Sequence, residues 1–204
     1  MRRLMLPLLL TISALLGGCA SVMLVDNQVQ SFPQWPAGAP QKGERFAFDR
    51  LPSQRSTAPN ALQDGLELAV RDALTAWGLK LPTGNDSVRW LVQVNAGGQR
   101  LPRAPWENPW ERPNWSISGG IGGRHGGITL GFPLMIADNP YYLREITVVV
   151  REAATGRVVY ETRAKHDGRW PDSPALWGAM VSAALRDFPQ PPAGARQVNI
   201  EIPR

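Results

Sequence analysis

One cysteine and two histidines are the chain's only thiol and imidazole groups, the side chains most used for nucleophilic or proton-transfer chemistry near neutral pH. His125 and His166 stand far apart and form no HExxH or other ligand spacing, which argues against a zinc site. Asp167 follows His166 at the end of a predicted strand. Neighbours on a strand point to opposite faces, so the two could cooperate only in a turn. The expected arrangement is a strand-end turn closed by Gly168. There is no GxSxG elbow. The run GGIGGRHGG matches neither a dinucleotide fingerprint nor a phosphate-binding loop, and reads as a glycine-rich hairpin. Glu145, Glu152 and Glu161 read as solvated charges on strand faces. The sequence therefore points to no catalytic residue, metal or cofactor.

Cys19 has a different context. Arg2 and Arg3 give a positive start, and LMLPLLLTISALL from Leu4 to Leu16 is almost wholly apolar. That run is too short for an ordinary membrane-spanning helix and suits the core of a signal peptide. Gly17 and Gly18 are small, as a cleavage site needs, and Cys19 follows. Leu16-Gly17-Gly18-Cys19 resembles the lipobox of bacterial lipoproteins. The resemblance implies that diacylglycerol is joined to the Cys19 sulfur and that residues 1–18 are removed. It also implies acylation of the new amino group. A thioether accounts for a single cysteine in an exported chain, which could form no internal disulfide. Two or three acyl chains anchor durably, at about 0.8 kcal/mol for each buried CH2. Ala20, rather than Asp, follows the cysteine, and by the same resemblance the destination is the outer membrane, with the domain on the periplasmic side.

The best binding candidates are Trp106, Trp110 and Trp115. They lie in a Pro-stiffened polar loop at about 100–115, with Glu107, Glu111 and Arg112. Exposed Trp can stack on sugars, enter a membrane interface or anchor a protein. The structural alternative is that the rings fold back over a sheet edge. The expected partners are the membrane, through lipid at Cys19, and an envelope protein, glycan or lipid. The net charge is +5, and dispersed basic residues form no stripe, which argues against nucleic acid.

These residues need a scaffold. Val22–Phe32 and Arg45–Leu51 read as strands. Asn60 caps a helix that ends at Gly78 and Pro82, with Leu62, Leu66, Ala69, Val70, Ala73, Leu74 and Trp77 on its apolar face. Trp77 reads as core. Val88–Asn95 is a strand, residues 116–132 a glycine-rich hairpin, and Leu143–Val150 and Arg157–Ala164 a hairpin turning at Gly156. A second helix spans Asp172–Phe188, capped by Asp172 or Ser173, and Val198–Ile202 is a last strand. The expected fold is α+β: a largely antiparallel β-sheet with two amphipathic helices packed on one face, in a single domain over 19–204.

That layout resembles small bacterial envelope lipoproteins with a domain of unknown function 4136. The likeness rests on the early strand after the cysteine, RFAF before the first helix, and AWGLK followed by LVQV. It rests also on REITVVVREAATGRVVYETRAKHDG and on a helix ending in RDFP. It covers about residues 22–202 and implies no catalytic residue. The expectation is an outer-membrane-anchored periplasmic lipoprotein, a non-catalytic binding or structural module of the envelope. The alternative is an envelope hydrolase with an unrecognised site.

Overall fold

The structure is a computed structural model that describes residues 22–55, 60–107 and 140–203. Its core is a six-stranded sheet: β1 (Val22–Pro33), β2 (Phe46–Phe48), β3 (Trp90–Leu101), β4 (Tyr141–Glu152), β5 (Val158–Gly168) and β6 (Arg196–Pro203). The spatial order is β2-β3-β4-β5-β1-β6. Every pair is antiparallel except β2 with β3, which run parallel across an intervening helical connection. A short helix α1 (Pro52–Arg55) precedes the long α2 (Ala61–Trp77), and α3 (Pro174–Ala184) lies between β5 and β6. The α+β architecture is the one expected. The proposed hairpin at 116–132 lies outside the described residues.

Strict alternation makes β1 a two-faced strand. Met23, Val25, Asn27, Val29 and Ser31 point under the helices and are buried, while the residues between them are exposed. The polar members of that row are tied down. Asn27 Nδ2 donates to the carbonyls of Val25 (2.9 Å) and Val198 (3.2 Å). Ser31 Oγ and Thr162 Oγ1 are 2.8 Å apart, and Thr162 also donates to the Ala184 carbonyl at 3.0 Å, fastening α3 to the sheet. At this end of the strands the rings of Trp35, Trp90, Tyr160, Phe188 and Trp77 meet. Trp35 stacks on Tyr160 at 5.5 Å, and Trp77 meets Phe188 edge-on at 5.3 Å. Trp77 is thus core.

Caps follow the sequence reading. Gln63 N donates to Asn60 Oδ1 (3.2 Å), and Leu176 N to Ser173 Oγ (3.2 Å). Gly156 takes a φ of 70° in the β4–β5 turn, where a Cβ would be strained. The apolar face of α2 is the one expected except in its first turn. Gln63 is buried with Leu66, Val70 and Leu74, whereas Leu62 is 43% exposed. Gln63 can turn inward because polar partners wait for it. Its amide donates to the Val94 carbonyl (3.2 Å) and Glu67 Oε1 (2.9 Å) and accepts from Gln54 of α1 (3.2 Å). This burial predicts that Leu66→Ala lowers stability by about 2–5 kcal/mol. Leu62→Ala should stay within about 0.5 kcal/mol of the natural protein. Urea denaturation of the two variants checks this, and the reverse ranking would overturn the assigned face.

Candidate functional site

The ladder registers bring several chain segments to one end of the sheet. Val22 pairs with Pro203, Tyr142 with Gly168, and Leu101 with Tyr141. The start of β1, the end of β6, the end of β5, the start of β4 and the end of β3 therefore share this end. The aromatic cluster around Trp35 lies at the other.

Tyr141 organises the β3–β4 corner. It is buried, and its hydroxyl donates to Asp167. Trp106 stands edge-on against it, centroids 5.0 Å apart at 81°. Trp106 is nevertheless 70% exposed, so it both packs on the sheet end and presents a ring to solvent. Burial pushes the Tyr141 hydroxyl up to about 12, and the bond to Asp167 adds to the rise. The segment bearing Trp106 is fixed by Glu107, which accepts from Arg169 and from the Ala104 N–H (3.2 Å). The Arg169 bond holds the Glu107 carboxyl below its ordinary range. Trp170, 42% exposed, follows immediately.

Beneath this end lies a buried polar row. His166 Nδ1 donates to the Asp26 carbonyl oxygen at 2.8 Å, with Asp26 Oδ1 at 3.1 Å. Arg144, opposite His166 in the register, is almost wholly buried. Its Nε donates to Asp172 Oδ1 at 2.5 Å, its Nη2 to the Trp170 carbonyl, and its guanidinium lies 4.7 Å over the Tyr142 ring. This explains why Ser173, not Asp172, caps α3. His166 and Asp167 face opposite sides of the sheet, as strand geometry requires. They do not sit in a turn, because β5 keeps its ladder with β4 through Gly168. This pair cannot share a proton. Among the described residues no three His, Cys, Asp or Glu gather to hold a metal.

Among the described residues, the sheet face opposite the helices forms a concavity of about 670 Å³, lined in part by Gln28, Asn95, Glu145, Thr147, Lys165 and Asp167. Lys165 Nζ is 3.5 Å from Glu145 Oε2. Gly97 leaves open space where a side chain would stand. The surface offers amide, hydroxyl and charged groups for binding.

Of the residues singled out in the sequence, Trp106 lies at this end. Trp110, Trp115, Cys19 and His125 lie outside the described residues. Tyr141, Arg144 and Trp170 were not anticipated. The signal for Trp170 was its place between a strand end and Pro171, and Arg144 carried none, since its burial depends on Asp172 across the fold.

No protein-family model matches the chain, and no curated protein matches it. Solved structures do resemble it. A PDZ domain protein from Parabacteroides distasonis is 17% identical, with a TM-score of 0.50 over 95% of this chain, which spans 42% of that structure's length. Two structures of the PelC dodecamer from Paraburkholderia phytofirmans are 10% identical, with TM-scores of 0.40 and 0.41. These cover 78% of this chain and 94% of the other. The first likeness is one of fold alone, and the others add nothing to it.

Tyr141 gives this end a measurable signature. Its folded value lies above the ordinary value of about 10, so its ionisation favours the unfolded chain. Its contribution is intact below about pH 10 and is lost as pH rises through about 12. Tyr141→Phe should remove one of the late tyrosinate steps in an ultraviolet titration. The variant should also lose less stability than the natural protein across that window, as read by denaturation midpoints.

Proposed function

We propose that this protein is an outer-membrane-anchored periplasmic lipoprotein that acts as a non-catalytic binding or structural module of the cell envelope. The observation that carries the reading is the order at the start of the chain: a basic start, a short apolar run, two glycines and Cys19, followed within three residues by β1. Among the described residues no helix is long and apolar enough to cross a membrane, so the reading gives attachment to the acyl groups. The open concavity and the exposed Trp106 ring supply surface for an envelope protein, glycan or lipid. The motifs that resemble the envelope lipoproteins with a domain of unknown function 4136 support the same reading.

Intact mass and membrane fractionation of the natural protein and Cys19→Ser test it. The natural protein should begin at Cys19, be heavier than the bare chain by its acyl groups, and fractionate with the outer membrane. Cys19→Ser should lose the added mass and leave the membrane. A soluble natural protein with an unmodified thiol would overturn the reading.

A further inference from the structure

We propose that the sheet end carrying Trp106 and Trp170 rests in the phospholipid headgroup layer, so that the domain stands on the bilayer with its strands pointing away from it. This rests on lipidation of Cys19.

The first argument is the length of the tether. Only Ala20 and Ser21 separate Cys19 from Val22, and three residue steps span at most about 11 Å. Val22 cannot drift further, because it is paired with Pro203 in the β1–β6 ladder. The polar layer on each side of a bilayer is about 5–7 Å deep. The start of β1 is thereby held next to the lipid. In the order β3-β4-β5-β1-β6, the start of β1 and the end of β5 point the same way, beyond the last pair of their ladder at Gln28 and Lys165. β4 and β3 follow β5 in the sheet, and the antiparallel registers turn the start of β4 and the end of β3 to the same side as Val22.

The second argument is what those strands present. Val22 (47% exposed) and Leu24 (52%) lie at the start of β1, with Trp170 after β5 and Trp106 after β3. Of the described tryptophans, the two that are strongly exposed are both at this end; Trp35, Trp77 and Trp90 belong to the packed cluster at the other. Other exposed apolar side chains include Leu62 and Leu68 on α2, and Phe32 and Val158 at the far end of the sheet, where no tryptophan is strongly exposed among the described residues. Trp is the side chain that prefers the membrane–water boundary, where an apolar ring and one N–H are both accommodated.

Charge decides the kind of partner. Among the described residues at this end, Arg100, Arg103 and Arg169 stand with Asp26, Glu107, Asp167 and Glu201, and Arg169 is paired with Glu107. Near-balanced charge provides little attraction for an anionic surface beyond what the apolar side chains give. Seating should therefore depend weakly on the proportion of anionic lipid.

The test is nitroxide labelling of the lipidated protein in vesicles of phosphatidylethanolamine and phosphatidylglycerol. A lipidated Cys19 leaves an introduced cysteine as the only free thiol. Pro105→Cys places the label beside Trp106 while keeping both rings. Thr155→Cys, in the β4–β5 turn at the opposite end, is the control. The label at 105 should be relaxed several-fold more by lipid-soluble oxygen than by an aqueous nickel chelate, and the label at 155 the reverse. Adding Trp106→Ser and Trp170→Ser to the 105 variant should shrink that contrast. Equal aqueous exposure at 105 and 155 in protein that floats with the vesicles and carries its acyl mass would overturn the seating and leave the lipoprotein reading standing. A label at 105 shielded from both reagents would mean that a protein surface covers this end, and would also overturn it. A chain without acyl mass that fails to float would overturn both readings.

Discussion

The strand that everything else leans on is β1. It is the first element of the described chain, yet it lies inside the sheet, with β5 on one side and β6 on the other. Its first part, Val22 to Val29, pairs with β6, and its last part, Gln28 to Pro33, pairs with β5. Its inward side chains form the floor on which α3 packs, and that floor is part polar. Asn27 holds β6 through the Val198 carbonyl, and the Ser31–Thr162 contact passes on to the Ala184 carbonyl at the end of α3. A buried hydrogen bond of this sort contributes about 1 kcal/mol net, but an orphaned partner costs more. The row thus fixes where α3 must sit more than it stabilises the fold.

The molecule uses its aromatic residues in two opposed ways. At the Pro33 end of β1, Trp35 donates to the Pro189 carbonyl (2.9 Å) and lies among Tyr160, Trp90 and Phe188, closing the space between sheet and helices. At the Val22 end, Trp106 touches one ring and faces outward. The same residue type is mortar at one end and contact surface at the other. What differs is the backbone around it: ladders and helix ends enclose the first set, and the chain leaving β3 carries the second past the sheet.

Patterns repeated within a few residues were legible in the sequence. The β4–β5 hairpin with Gly156 at its turn, the Asn60 and Ser173 caps, the apolar stripe from Leu66 to Leu74 and the α+β class all follow from local spacing. What was not legible depends on partners distant in the chain. Gln63 reads as polar surface until the Val94 carbonyl and Gln54 are seen beside it. Arg144 reads as a strand-face charge until Asp172 and the Trp170 carbonyl enclose it. α1 is a single turn with no periodicity to announce it. At the candidate site, the Trp/Pro loop was visible as composition, but the support of Trp106 by Tyr141 was not, because it depends on the register of β3 against β4.

The β1–β6 ladder also bears on when the molecule can become folded. Val22 and Pro203 are partners although far apart in the sequence. Pairing at such separation closes a very large loop and is slow compared with local hairpins such as β4–β5. Until Arg196–Pro203 has emerged, the first part of β1 has an open flank and the sheet is one strand short. β6 therefore acts as a latch set after β1 and the hairpin, and a chain clipped before Arg196 would leave the edge of β1 bare for strands of other molecules to join.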